Sequence, residues 1–132
     1  MKKSISVYIH VFLLVAFLLV GCGKYAAPIV LPSVNDIDSI GITTFDGTEV
    51  TFSDKEWIEQ FIAVVIEAES TTKESIQDVP NVETYGKVDI LNNSGVTTLF
   101  YYKEQGKYYI EQPYQGVYQT DIDIDDWMKN VE

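Results

Sequence analysis

Residues 96–118 read VTTLFYYKEQGKYYIEQPYQGVY, and six of the nine tyrosines fall here: Tyr101, Tyr102, Tyr108, Tyr109, Tyr114 and Tyr118. Two aromatic runs flank Glu104-Gln105-Gly106, a turn signal, so the stretch reads as a β-hairpin that supplies much of a sheet. Taken as a three-residue loop with glycine last, that turn sets Tyr102 opposite Tyr108 and Phe100 opposite Ile110. Asn93-Ser94-Gly95 reads as a loop of the same kind, setting Val88 opposite Phe100 and Ile90 opposite Thr98. One face then holds Val88, Ile90, Val96, Phe100, Tyr102, Tyr108 and Ile110, and is expected to be the core face. The other holds Lys87, Asp89, Leu91, Leu99, Tyr101, Lys103, Tyr109 and Glu111. A slip of one residue exchanges the two faces, because side chains alternate with a period of two.

Downstream, Pro113 marks a turn where a central strand cannot continue, and residues 116–120 form a last short strand. Ile124, Trp127, Met128 and Val131 then take the i, i+3, i+4, i+7 spacing of a short terminal helix. Upstream, residues 37–52 form a hairpin about Phe45-Asp46-Gly47, which sets Ile42 opposite Val50 and Ile40 opposite Phe52. Residues 53 to about 69 are the main helix. Ser53 and Glu56 have the spacing of a capping box, and Trp57, Ile58, Phe61, Ile62, Val65 and Ile66 share one broad face. Residues 70–81 are a polar link that ends in the turn residues Asp78-Val79-Pro80-Asn81. The fold class expected is α+β. It is an antiparallel sheet of about five to six short strands, in the order β-β-α-β-β-β-β-α, with one long helix packed on one face.

The first residues speak to location. Lys2 and Lys3 precede an apolar run over residues 7–20 that only Tyr8 and His10 interrupt, which fits a signal peptide. The run is short for a membrane-spanning helix, which needs roughly 20 residues. Leu19-Val20-Gly21-Cys22 resembles the bacterial lipobox, with cleavage before Cys22 and lipid, palmitate among its acyl chains, on the anchored cysteine. Two acyl chains on a diacylglyceryl group suffice for stable anchoring. An ordinary secretory leader, or a retained anchor with a chance cysteine, is the alternative. The expected division is a signal peptide over residues 1–21, a lipidated cysteine and tether over 22–35, and a single extracytoplasmic domain over 36–132. The tether carries Pro28 and Pro32 and, extended at about 3.3 Å per residue, would reach on the order of 40 Å from the membrane. Its apolar triplet Ile29-Val30-Leu31 could dock on the domain instead.

The 132 residues allow one domain, and the net charge is −11. Two of the nine lysines precede Cys22, which leaves seven against twenty acids, or −13 for the remainder. So acidic a surface argues against nucleic acid and against electrostatic adhesion to anionic lipid. His10 is the one histidine, Cys22 the one cysteine, and arginine is absent. Ser-His-Asp and Cys-His catalysis, histidine-ligated zinc and disulfides are thereby excluded. Ser70-Thr71-Thr72-Lys73 has the S-x-x-K form of penicillin-binding enzymes, but its companion motifs are absent and the chain is far too short. A helix exit is the plainer reading of that segment.

Two candidate sites remain. Asp121, Asp123 and Asp125 stand at positions 1, 3 and 5 of a calcium loop with Glu132 at position 12, but Asp126 replaces the glycine of the sharp turn. The favoured alternative is that these acids start the last helix, one as its N-cap, so no metal is expected. The second is an outer aromatic surface of Leu99, Tyr101 and Tyr109, with Glu111, Tyr114 and Tyr118 close in sequence. Such a patch either stabilises the sheet through cross-strand contacts or binds a protein or envelope polymer. The expected function is therefore a non-catalytic binding domain at the cell envelope, lipid-anchored on the extracytoplasmic side, without a cofactor. The rival is an envelope hydrolase that uses Asp and Glu carboxylates.

TKESIQDVP, residues 72–80, and YYIEQPYQGVY, residues 108–118, together resemble a family of small lipoproteins of Gram-positive bacteria, domain of unknown function 5301. The resemblance covers residues 37–132. The family has no assigned activity, so it implies no catalytic residue. Its recurrent positions are here Ser75, Asp78, Pro80, Glu111, Pro113, Tyr114, Gly116 and Tyr118.

Overall fold

The computed structural model describes residues 23–131. The stretch expected as a signal peptide, residues 1–21, together with Cys22 and Glu132, lies outside the described residues. After a 3-10 turn at Val34–Asp36 come strands β1 (Ile37–Thr43) and β2 (Glu49–Phe52), helix α1 (Lys55–Ile66), and strands β3 (Glu69–Ser70) and β4 (Gly86–Asn92). Strands β5 (Gly95–Glu104), β6 (Lys107–Gln112) and β7 (Gly116–Thr120) and helix α2 (Ile124–Asn130) complete the chain. The strands form one antiparallel sheet in the order β2-β1-β4-β5-β6-β7-β3. The fold is α+β as expected, with seven strands. The added one is the two-residue β3, which occupies the stretch read as a helix exit and pairs with β7.

The first hairpin has the expected register, Ile40 opposite Phe52 and Ile42 opposite Val50. The next two hairpins are each shifted by one residue. Val88 faces Leu99, Tyr101 faces Ile110 and Tyr102 faces Tyr109. The reason is loop length: Asn92 pairs with Gly95 and Glu104 with Lys107, so each turn has two residues rather than three. Gln105 and Gly106 both have positive φ, 50° and 77°, the mirror-image turn whose twist matches that of the flanking strands. The Asn92 side-chain oxygen accepts a 2.8 Å bond from the Ser94 amide and closes the other turn. Leu99 and Tyr101 thereby exchange faces with Phe100 and Tyr102.

Helix α1 begins one residue later than its sequence suggests. Asp54, not Ser53, is the N-cap, and its carboxylate accepts from the Trp57 amide at 2.9 Å. Trp57, Ile58, Phe61, Ile62 and Val65 are buried against Ile40, Ile42, Val88, Ile90, Leu99, Tyr101 and Ile110. The helix stops at Ile66, which is exposed rather than part of the buried stripe, because the chain turns there into β3. Helix α2 adds Ile124 and Met128 to the same core. The Tyr101 hydroxyl reaches across to the Thr43 carbonyl and the Asp125 carboxylate.

Residues 23–33, part of the stretch 22–35 read as a tether, lie on the domain, the alternative that the apolar triplet Ile29-Val30-Leu31 leaves open. Ile29 and Leu31 pack against the main core. The Gln112 side chain bonds Val30 at both its amide (2.9 Å) and its carbonyl (2.8 Å). The Tyr118 hydroxyl donates to the Ala27 carbonyl, and the Gln115 side chain to that of Pro28. Docking prevails over extension because each bond satisfies a backbone group of an irregular segment laid on a buried surface. On the face away from α1, residues 71–85 form an irregular strap over β5, β6 and β7.

Candidate functional site

The strap, residues 71–85, is held by polar contacts over its first half and by apolar ones at its far end. The Thr71 amide and hydroxyl both donate to the Val117 carbonyl, at 3.0 and 2.7 Å. Val82 and Tyr85 pack on the buried cluster of Tyr102, Tyr109 and Val117. The Tyr85 ring meets Phe100 edge-on, with centroids 5.4 Å apart. An irregular chain cannot interdigitate with a sheet as a helix stripe does, and a groove of about 380 Å³ remains between strap and strands. Lys73, Glu74, Ile76, Gln77, Val79 and Val82 wall it on one side and Tyr102, Glu104, Glu111 and Val117 on the other.

Glu111 is the buried charge of this site. Its carboxylate accepts from the Ser75 hydroxyl at 2.7 Å, and the Ser75 oxygen in turn accepts from the Tyr114 amide at 3.2 Å. Tyr114 sits in the left-handed region, φ 61°, in the three-residue turn between β6 and β7. Its hydroxyl donates to Asp78 on the strap at 2.8 Å, which raises the phenol's pKa. Burial pushes the Tyr102 phenol up as well, aided by the charges of Glu111 and Glu104. At the rim, Lys73 pairs with Glu104 while its ammonium lies 4.5 Å from the centre of the Tyr109 ring. Ile76 and Val79 are 70% and 43% exposed, an apolar lip on a groove that also holds charged groups.

The register change decides where the expected surface residues fall. Leu99 and Tyr101 are 1% and 3% exposed in the main core and offer no outer surface. Tyr118 is also buried on the α1 side, against the segment at Ala27. Tyr109, Glu111 and Tyr114 do come together, on or beside the strap. Sequence reasoning missed Lys73, Ser75, Ile76, Val79, Tyr102 and Glu104 as one site. The signal for it was the pair of motifs at residues 72–80 and 108–118. They touch each other, Ser75 meeting Glu111 and Tyr114, and Asp78 meeting Tyr114.

The acidic run at the end is divided among separate tasks. Asp123 caps α2 by accepting from the Asp126 amide. Asp125 accepts from Tyr101 and from the Phe45 amide, and Asp126 pairs with Lys129. Among the described residues, no group of three or more His, Cys, Asp or Glu is placed to hold a metal ion. A second cavity of about 300 Å³ lies between the first hairpin and α2, but the charged groups that line it are already engaged. Asp46 there accepts from the Thr44 hydroxyl and the Thr48 amide, which hold its carboxyl down at about 2.

The chain matches a family described as a domain of unknown function (DUF5300), with the short name DUF5301, over residues 25–119. It also resembles a solved structure, the NMR structure of a protein from Ruminococcus gnavus, at 40% identity and a TM-score of 0.67. That match covers 76% of this chain and 98% of the other. No curated protein matches. Among the described residues, no helix is long and apolar enough to cross a membrane.

Proposed function

The chain belongs to the DUF5301 family of domains of unknown function, and on that premise we propose that it is a non-catalytic binding module of the cell envelope, anchored by lipid on Cys22. Its binding site is the groove beneath the strap. The leader and lipobox support the anchoring, and a carrier with two acyl chains stays on its membrane. The observation that carries the binding reading is the exposed lip of Ile76 and Val79 beside a buried floor of Tyr102 and of Glu111 bonded to Ser75. Apolar contact with a few fixed polar groups is the usual make-up of a recognition site. The partner is a protein segment or envelope polymer that carries both apolar and hydrogen-bonding groups.

A hydrolase reading is the alternative, because Glu74, Glu104 and Glu111 line one groove. Two of these carboxylates are already engaged, Glu111 by Ser75 and Glu104 by Lys73, which favours binding over acid–base chemistry.

Capture from solubilised envelope fractions tests the reading. Ile76→Arg and Val79→Arg should abolish retention of whatever the unmodified chain retains while leaving its melting temperature within about 2 °C, as surface changes do. Val96→Arg, at an exposed site on β5 outside the groove, should leave retention intact. Retention that survives both strap changes would contradict the assignment.

A further inference from the structure

The segment between the cysteine and the sheet is built into the fold. Gly23 lies against Thr72, so closely that a Cβ on it would stand 3.2 Å from the threonine side chain. The Ala26 amide donates to the Thr71 carbonyl at 2.9 Å, beside the end of β3. Ala26 also sits directly over Gly116, where a Cβ would fall 2.3 Å from the alanine Cβ. Gln112 then grips Val30 from both sides, and Ile29 and Leu31 enter the core. From Gly23 onward there is no free length to act as a spacer.

We propose that this docked segment holds the anchored domain directly against the lipid bilayer, with the edge around Gly23, Tyr25 and Thr72 at the headgroups. The proposal rests on lipidation at Cys22. One peptide bond, about 3.8 Å between Cα atoms, separates Cys22 from Gly23. The acyl chains therefore enter the bilayer within a residue or two of the folded surface. An extended tether would have stood the domain on the order of 40 Å away. The exit edge suits the interface. Tyr25 is 69% exposed there and presents an amphipathic ring, and Lys24 beside it is exposed and basic. Lys73, at the rim of the groove, follows Thr72 directly, so the groove opens next to the anchor and its ligand is met at the membrane surface.

Cys22 is the one cysteine, so the chain from Cys22 onward can be coupled through its sulfur to a maleimide lipid. This is done in supported bilayers of phosphatidylcholine and phosphatidylglycerol, and neutron reflectometry then reads the height of the protein layer. Protein density that begins at the headgroups, with no water layer between, is the expected result. Gln112→Ala and Gln115→Ala combined with Tyr118→Phe, Ile29→Ser and Leu31→Ser removes the side-chain grips on Ala27, Pro28 and Val30 and the apolar contacts with the core, and should raise the layer by tens of ångströms. Gly116→Val, which drives Ala26 off the sheet, should do the same. A water gap of about 40 Å under the unmodified chain would overturn the proposal. So would an unchanged height in that combined variant, whatever the folding of the glycine variant. The chemical coupling supplies the anchor in every case. Failure of lipidation itself is read separately, by loss of labelled palmitate incorporation into the chain in cells.

Discussion

The sheet has two covered faces, and they are covered by unlike means. On one, α1 lays five buried side chains on a floor of isoleucine, valine, leucine and tyrosine, and the helix backbone satisfies its own hydrogen bonds. On the other, residues 71–85 cross β5, β6 and β7 without regular structure, and side chains must do the backbone's work. Thr71 ties one end, and Ser75 and Asp78 meet Glu111 and Tyr114. A helix fills the space it covers, whereas an irregular strap leaves a groove. The first face therefore holds the stability of the domain, and the second has the space and the exposed groups to bind. Segments with few buried apolar contacts also open at lower free energy than core elements.

The largest effect should fall on the helix face. Phe61 is fully buried, and Phe61→Ala should cost about 3–5 kcal/mol in chemical denaturation. A cost below about 1 kcal/mol would break the claim that this face carries the fold. On the strap face, Ser75→Ala leaves the buried Glu111 carboxylate without its hydroxyl donor and should cost about 1–3 kcal/mol. That loss should be local, seen as faster amide exchange over residues 71–85 with β1 and β4 unchanged. Equal loss of protection in β1 would show that the two faces open together. Smaller still, Asp54→Ala should cost about 1 kcal/mol through loss of the N-cap, and Ser53→Ala less than about 0.5 kcal/mol. The reverse order would restore the capping box read from the sequence.

A pH effect involves both faces and appears only in alkali. Burial raises the pKa of Tyr101 on one face and of Tyr102 on the other, and neighbouring carboxylates raise both further. In the unfolded chain both ionise near pH 10. Above that pH the unfolded state releases protons that the folded state retains, so stability is full below about pH 10 and falls as pH rises. Tyr102→Phe should flatten part of that fall in denaturation curves measured between pH 9 and 11. An unchanged slope would place Tyr102 in contact with water.

Much of the helix face was legible in the sequence. The 3.6-residue stripe from Trp57 to Val65 and the register of the first hairpin both appear in the structure. The later registers were not, because the same letters fit more than one loop length: Gly106 ends a two-residue turn, and Gly95 opens β5 after one. Gln105-Gly106 closes a two-residue turn, whereas Phe45-Asp46-Gly47 closes a three-residue one that Thr44 and Thr48 lock through Asp46. One residue of difference sent Leu99 and Tyr101 inward and Phe100 and Tyr102 outward. The strap was illegible for another reason: its order comes from partners 36 and 39 residues away in sequence, and no local pattern encodes them. The two motifs at residues 72–80 and 108–118 marked both ends of that contact without showing that they touch.

The central claim is that binding belongs to the strap face. Hydrogen exchange followed by mass spectrometry tests it most directly, on the chain alone and with the solubilised envelope fraction that it retains. Protection should rise over residues 73–82 and over β5–β7 residues 102–117, with α1 and β1 unchanged. A gain confined to α1, or to the uncovered outer stretch that includes Asp89 and Thr98, would contradict the claim.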